Sequence, residues 1–163
     1  MMVILSFPAL WLTLLLPIVL GILAWLLGKY ESAVKTLIYL SGFVLLIPLG
    51  LVLYYYATGG LSSSIVDPIY VNFASYRIGT FYLGIDGLSA PIVIGISIVT
   101  AFVSFYGIKY MTKRIEEMKE ENEKVPNLGV YALLYNIFAV TMLGIAYSSN
   151  LIEFYVFLEG TLI

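Results

Sequence analysis

Two glutamates stand in the apolar segment NLIEFYVFLEGTLI, which occupies residues 150–163. A soluble protein can expose Glu153 and Glu159 to water, whereas a carboxylate inside a lipid bilayer needs hydration, a proton or a partner. The two residues are six positions apart, which at about 100° per residue places them on different faces of a helix. They therefore do not predict a single two-carboxylate site, and each glutamate needs its own explanation.

The composition is that of a membrane protein. The chain of 163 residues is 61% hydrophobic and 11% charged, with a mean hydropathy of +1.01. Four runs contain no charged residue: 1–28, 36–66, 87–108 and 125–152. Each run is long enough for a spanning helix, which needs roughly 20 apolar residues. The sequence therefore predicts an integral membrane protein.

Several function classes are excluded by what the sequence lacks. The net charge of −2 argues against a nucleic-acid partner, which would require a basic face. Without Cys or His, the chain lacks the residues for iron–sulfur clusters, thiol catalysis and nearly every zinc or copper site. No glycine-rich dinucleotide fingerprint is present. We therefore expect no cofactor, no metal and no catalytic residue in this chain.

The predicted fold class is an all-α membrane protein with about five transmembrane helices, the fifth truncated, and a short strand-like or hairpin external loop. One transmembrane domain covers 1–163, and its predicted helices are 3–28, 34–57, 87–110, 128–147 and 150–163. The external loop covers 58–86, where apolar and polar residues alternate as they do in strands. A charged cytoplasmic loop covers 109–127.

The charged loop is expected to contain a short helix of its own. Lys113 with Glu117, and Glu120 with Lys124, have the i,i+4 spacing that lets opposite charges meet on one helix face.

The distribution of Lys and Arg predicts the orientation. With the N-terminus outside, seven of the eight basic residues lie on the cytoplasmic side. These seven are Lys29, Lys35, Lys109, Lys113, Arg114, Lys119 and Lys124, and the remaining one is Arg77. Because basic residues are enriched in cytoplasmic loops, we expect the N-terminus outside a cell membrane.

The predicted depths of the two glutamates differ. Glu153 lies one turn into the fifth helix, where it is expected to be an interfacial carboxylate that still reaches water or a cap of the helix. Glu159 is about 13.5 Å beyond Asn150 at 1.5 Å per residue, close to the midplane of a ~30 Å hydrocarbon core. A charge there costs at least ~2.5–3.5 kcal/mol. Three interpretations of Glu159 follow. It is a protonated carboxyl bonded to another helix, an incidental residue near the chain end, or a group that exchanges protons or ions with a hydrated interior.

Other polar residues have structural and functional interpretations. Asp86 and Ser89 stand at the start of the third predicted helix, where they can cap it or handle ions directly. Further hydroxyl and amide side chains within the spans can pack helices together or order water. They are Asn136, Thr141, Thr100 and Ser104, together with Thr13, Ser41 and Ser97.

Three ordered segments resemble the N-terminal portion of the antiporter-like subunits. These large membrane subunits are shared by respiratory complex I, Mrp-type cation/proton antiporters and energy-converting membrane-bound hydrogenases. The segments are LPIVLGILAWLLGK at 16–29, GIDGLSAPIV at 84–93 and YALLYNIFAVTMLGIAYSSNLIEFYVFLEGTLI at 131–163. They contain the family's typical IDGLS, MLG and NL…YVF-x-E signals, with Leu158 in place of the usual Trp.

The resemblance implies that Glu159 is a proton-path residue whose basic partner lies on a later helix of the family, beyond this sequence. A self-sufficient antiporter is therefore not expected. The leading hypothesis is a small membrane subunit of a multisubunit respiratory or hydrogenase-like complex that translocates protons or sodium ions. It is expected to contact the bilayer and other membrane subunits, including antiporter-like subunits. In that complex it contributes the midplane Glu159 to an ion path, seals a neighbouring ion-path subunit, or does both. The alternatives are a structural assembly subunit without ion traffic and a small free-standing transporter.

The C-terminal segment raises a further expectation. From Asn150 to Ile163 a helix extends about 21 Å, which is shorter than the hydrocarbon core. Bare carbonyl groups in lipid cost several kcal/mol each. Residues 158–163 are therefore expected to pack against a partner subunit, or to be continued by a second polypeptide.

Overall fold

A computed structural model describes residues 2–59, 64–72, 80–121 and 123–162, and these residues form a bundle of α-helices. The helices are α1 (Ala9–Leu26), α2 (Glu31–Leu45), α3 (Ile47–Gly59), α4 (Ser89–Glu120), α5 (Leu128–Tyr147) and α6 (Leu151–Thr161). Short strands are β1 (Met2–Ile4), β2 (Ser64–Val66), β3 (Val71–Asn72), β4 (Thr80–Phe81) and β5 (Gly84–Ile85).

Four helical segments are long and apolar enough to cross a membrane. They are α1, the combined α2 and α3 over Glu31–Gly59, α4 and α5. Helix α6 has only 11 residues and is shorter than a span. The predicted class of an all-α membrane protein is confirmed.

The strands gather at one end of the bundle, which we call the sheet end. Strand β2 pairs in parallel with β1 and antiparallel with β5, while β3 and β4 form a separate antiparallel pair. A bridge between Leu83 and Ser148 joins this region to the end of α5. The opposite end, which we call the charged end, contains the last part of α4. Arg77 and the rest of 73–79 lie outside the described residues.

The first helix begins later than predicted, at Ala9 and not at residue 3. Residues 2–4 form β1, and the Leu5 N–H continues the pairing by donating to the Val66 carbonyl at 2.9 Å. The apolar composition of this stretch does not distinguish a buried strand from a helix. Pairing with β2, 62 positions away along the chain, decides in favour of the strand.

The second predicted helix, 34–57, is two helices separated at Leu46. Pro48 explains the interruption, because proline has no N–H and its ring clashes with the carbonyl four residues earlier, here that of Val44. The sequence analysis did not use this proline. In the structure it lies in the first turn of α3, where a missing N–H is tolerated.

The third predicted helix does not end at 110 but continues to Glu120, so most of the predicted charged loop is helical. Residues 108–125 contain neither Gly nor Pro and are rich in strong helix formers. The Lys113 and Glu117 side chains approach to 3.9 Å. Lys124 lies beyond the helix, so the predicted helical pair with Glu120 does not form.

Helices α1 and α5 approach closely through small residues. A Cβ atom built on Gly129 would collide with the backbone of Ala24 and Trp25, and one on Gly21 would lie 3.2 Å from the Leu133 Cα. Small residues allow this close approach. Close packing matters in a membrane because lipid provides no hydrophobic driving force for helix association. This helix pair forms the centre of the described bundle.

Candidate functional site

Helix α6 begins with a network of side-chain caps at the sheet end. The Asn150 side chain accepts a hydrogen bond from the Glu153 N–H at 2.8 Å, and the Glu153 carboxylate accepts from the N–H and the hydroxyl of Ser149 at 3.0 and 2.9 Å. This is a reciprocal arrangement close to a capping box. The Asn150 amide also donates to the Thr80 carbonyl at 3.3 Å.

Glu153 is therefore a buried anchor of the helix start. It is 5% exposed within the described bundle, and its carboxylate is bonded to Ser149 just before the helix. Its burial arises because the chain folds back sharply between α5 and α6, so that Ser149 covers the carboxylate. In this position it stabilises the direction in which α6 leaves the sheet end.

Glu159 lies on a different side of the same helix. It is exposed on the surface of the described bundle. Eight residues separate Glu159 from Leu151, which corresponds to about 12 Å along the helix axis. The structure therefore brings Glu153 and Glu159 to different faces and to different depths.

The packed face of α6 is a stripe formed by Glu153, Phe157 and Gly160. The Phe157 ring fills the space beside Gly144 of α5, where an added Cβ atom would overlap three ring atoms. A Cβ atom on Gly160 would lie 2.7 Å from the Thr141 methyl group. The two glycines thus let α6 and α5 lie close together, and they orient Glu159 away from α5.

We expect Gly144→Ala to loosen α6 from α5, because the new methyl group displaces the Phe157 ring. Overpacking of this kind costs typically about 1–3 kcal/mol, so hydrogen exchange of the α6 backbone amides should become roughly tenfold faster or more. The matched control is Gly95→Ala in α4, where an added Cβ atom meets no atom within 4 Å. Equal exchange rates in the two variants would contradict the proposed packing.

Asp86 and Ser89 cap the start of α4 reciprocally. The Asp86 carboxylate accepts from the Ser89 and Leu88 N–H groups at 2.7 and 3.0 Å, and the Ser89 hydroxyl accepts from the Asp86 N–H at 2.9 Å. The bond from the Ser89 backbone holds the pKa of the Asp86 carboxyl below its usual range. All of these groups are occupied by the turn itself, which is the geometry of a cap.

The hydroxyl side chains inside the spans mostly bond to nearby carbonyl groups. Ser104 of α4 donates to the Ile38 carbonyl of α2 at 3.1 Å and so joins two helices. Thr100 donates to the Ile96 carbonyl at 2.7 Å, and its own carbonyl accepts from the Tyr135 hydroxyl. These contacts are those of helix packing.

Asn136 differs from this pattern, and Thr141 follows it but also contacts a second helix. Asn136 is 2% exposed beside Gly21, and its side-chain oxygen accepts no hydrogen bond from the part of the chain that the structure describes. Thr141 donates to the Phe138 carbonyl at 2.8 Å and touches α6 at Gly160. Of the predicted polar set, Thr141 is thus the member shown beside the helix that carries Glu159.

Asp67, a fully buried carboxylate at the sheet end, was not among the predicted site residues. Its Oδ2 accepts from the Leu10 and Trp11 N–H groups at 2.9 and 3.2 Å, and thereby caps α1 across more than fifty residues. No side chain at the local N-cap position, Pro8, performs this role. The available signal was a lone acidic residue that ends the charge-free run 36–66.

The acidic side chains of the described residues lie apart from one another. Within the described ranges, no group of three or more acidic side chains converges as a metal site would require. The carboxylates of Asp67, Asp86 and Glu153 are each engaged with backbone N–H groups. Glu159 is the carboxylate of α6 that is exposed on the surface of the described bundle.

Comparison with known proteins gives one informative similarity. No family model matches the sequence. Over 154 residues the chain is 32% identical to one of the subunits of the Na(+)/H(+) antiporter of Alkalihalophilus pseudofirmus. The match covers 89% of this chain and 16% of that protein, so the chain spans about a sixth of its relative. The chain is therefore similar to one part of a sodium/proton antiporter subunit.

Proposed function

We propose that this chain is a membrane segment of a multisubunit cation/proton antiporter-type complex. In that complex Glu159 contributes a carboxyl to an ion path that is completed by neighbouring subunits. The similarity to part of a sodium/proton antiporter supports the type of system. The position of Glu159 supports its role.

The observation that carries the proposal is an exposed carboxylate on an apolar surface. Around Glu159 the outward side of α6 consists of large apolar and aromatic side chains, among them Tyr155, Val156 and Leu162. An ionised carboxylate at this depth costs at least about 2.5–3.5 kcal/mol if it faces lipid. A neighbouring subunit that supplies water or a basic group removes this penalty.

The described part of the chain has no basic group that can serve this purpose. All its Lys and Arg residues are at the charged end, between the C-terminus of α1 and the N-terminus of α5. Helix α6 starts at the opposite, sheet end. The counter-charge for Glu159 therefore belongs to a different polypeptide or to a segment outside the described residues.

A structural assembly role is the second candidate, and the apolar face of α6 favours it. This face offers contact area to a neighbouring helix whether or not Glu159 moves ions. In both cases the chain belongs to a complex, with its sheet end outside and its charged end in the cytoplasm. A free-standing transporter has less support, because Glu159 has no basic partner within the described helices.

Co-purification tests whether the chain belongs to a larger complex. We expect an affinity-tagged copy, extracted from its native membrane in a mild detergent, to carry other multi-pass membrane proteins with it in defined ratio. These partners should be absent when an unrelated tagged multi-pass protein is extracted in the same way. A chain that migrates alone, or only with copies of itself, would contradict membership of such a complex.

A further inference from the structure

We propose that the charged end binds the phosphate group of an anionic phospholipid in the groove between α2 and α4. The inference rests on the placement of the helices in a membrane and not on the ion path proposed for Glu159. Its basis is a set of cations at the membrane boundary with aromatic side chains directly beneath them.

The length of α4 sets the depth of this groove. From Ser89 to Lys109 the helix extends about 30 Å at 1.5 Å per residue, which equals the thickness of a typical hydrocarbon core. With Ser89 at one boundary, Lys109 therefore lies at the other. Lys113 and Arg114 follow one turn further towards water.

Two recesses meet at the same pair of lysines. The groove between the helices has a volume of about 370 Å³ and is lined by Lys35 and Tyr39 of α2 and by Lys109 and Lys113 of α4. On the other side of α4 lies a recess of about 460 Å³. It is lined by Tyr106, Lys109, Tyr110, Lys113, Arg114 and Glu117. A phosphate group at the boundary can therefore be reached by cations from both helices.

The acidic residues at this end lie on the water side of the cations. Glu117 is 3.9 Å from the Lys113 ammonium and 3.4 Å from the Arg114 guanidinium. These pairs are solvent-exposed, and such pairs bind weakly, so an anionic ligand can compete for the cations. Glu116 also lines the groove, one turn beyond Thr112.

Lys109 is the cation best placed for a ligand. In the described parts of the chain, no carboxylate lies within 4.0 Å of its ammonium group. Lys35, by contrast, is held by Glu31 at 2.6 Å. The segment from Tyr106 to Arg114 contains no acid. Among the described residues, Lys109 is the cation of this segment that has no paired carboxylate, whereas Lys113 and Arg114 are paired with Glu117 on the water side.

Aromatic side chains continue the groove into the hydrocarbon layer. The Phe105 ring lies 6.1 Å from Tyr39 and 5.2 Å from Phe43, measured between ring centroids, and bridges α4 to α2. Phe43 is 63% and Tyr106 72% exposed. Tyrosine rings at the headgroup level are typical of membrane interfaces, and the exposed rings below them provide a surface for an acyl chain.

This combination favours a lipid over a free phosphate ion or an acidic protein. A soluble ion would gain nothing from the exposed rings below the lysines. Basic pockets between transmembrane helices at the cytoplasmic boundary are suited to anionic lipid headgroups. The groove offers lysines to the phosphate group of such a lipid and exposed aromatic rings to its acyl chain.

Fluorescence quenching in vesicles tests the proposal. Tyr106→Trp serves as the reporter in the full chain, with Trp11 and Trp25 replaced by Phe so that one tryptophan remains. The chain is placed in dioleoylphosphatidylcholine vesicles that contain brominated phosphatidylglycerol or brominated phosphatidylcholine. We expect stronger quenching by the anionic lipid. The binding constant for phosphatidylglycerol, divided by that for phosphatidylcholine, should fall about fivefold for each lysine lost. In Lys109→Gln/Lys113→Gln this ratio should therefore fall roughly 25-fold.

Two further variants separate the site from general effects of charge and folding. Lys119→Gln/Lys124→Gln removes the same charge at the same end outside the groove and should change the ratio less than about twofold. Lys109→Arg/Lys113→Arg should retain it. Equal quenching by both lipids in the unmodified reporter chain, or an undiminished ratio in the Gln double variant, would overturn the proposal. Loss of the quenching difference in excess inorganic phosphate at constant ionic strength would also overturn it, by indicating a free-phosphate site.

Discussion

Replacement of Asp67 by alanine is expected to lower the free energy of unfolding by about 2–4 kcal/mol, because one buried and one partly buried N–H donor lose their acceptor. The Leu10 and Trp11 N–H groups at the start of α1 point to the Asp67 carboxylate, and Leu10 is completely buried. Water does not reach this position to replace the lost bonds. The Asp67 N–H also donates to the Leu83 carbonyl at 2.9 Å, so the same residue joins α1 to the sheet.

Reversible unfolding in mixed micelles measures this effect. Asp67→Asn keeps one side-chain acceptor and should be much milder than alanine, since Asn is about as good a cap as Asp. Glu121→Ala removes an exposed carboxylate at the charged end and should change stability by no more than about 0.5 kcal/mol. If Asp67→Ala is no more destabilising than Glu121→Ala, the long-range cap does not stabilise α1.

Features determined by neighbouring residues could be predicted from the sequence. The charge-free runs indicate the spans because lipid excludes charged groups. Asp86 and Ser89 stand three positions apart, so a cap between them requires no knowledge of the rest of the fold. The separation of Glu153 and Glu159 follows from the helical repeat alone.

Features determined by distant residues could not be predicted in this way. The start of α1 depends on β1 pairing with β2 and on Asp67, which are far away in the chain. The burial of Glu153 depends on the fold-back at Ser149. The outward orientation of Glu159 depends on the contact between α5 and α6, in which Gly144 lies against Phe157 and Gly160 against Thr141. This contact needs the relative placement of two helices.

The second large effect concerns Glu159. A glutamine at this position keeps the size and the hydrogen-bonding oxygen of the side chain but can neither bind nor release a proton near neutral pH. Groups that transfer protons contribute about 10²-fold or more to the reactions that use them. In the complete complex, we therefore expect Glu159→Gln to reduce proton-coupled cation transport at least about tenfold while the subunits remain assembled. Because Glu159 faces away from α5, the substitution should not disturb the bundle.

Glu153→Gln is the matched control on the same helix. Glutamine can accept the bonds from Ser149 and is itself found at this position of capping boxes, so transport should be retained. Glu159→Asp keeps an exchangeable carboxyl and should retain more transport than the Gln variant. Glu153→Gln and Glu159→Gln each remove one negative charge from α6, so a difference between them reports the loss of the titratable group at position 159.

The most direct measurement is cation-dependent proton movement by the assembled complex in sealed vesicles, followed with a trapped pH-sensitive dye. The proposed role of Glu159 predicts a loss of at least about tenfold in Glu159→Gln, with near-normal transport in Glu153→Gln and equal amounts of assembled complex in both. Undiminished proton movement in a fully assembled Glu159→Gln complex would contradict the ion-path role and leave α6 as a structural contact.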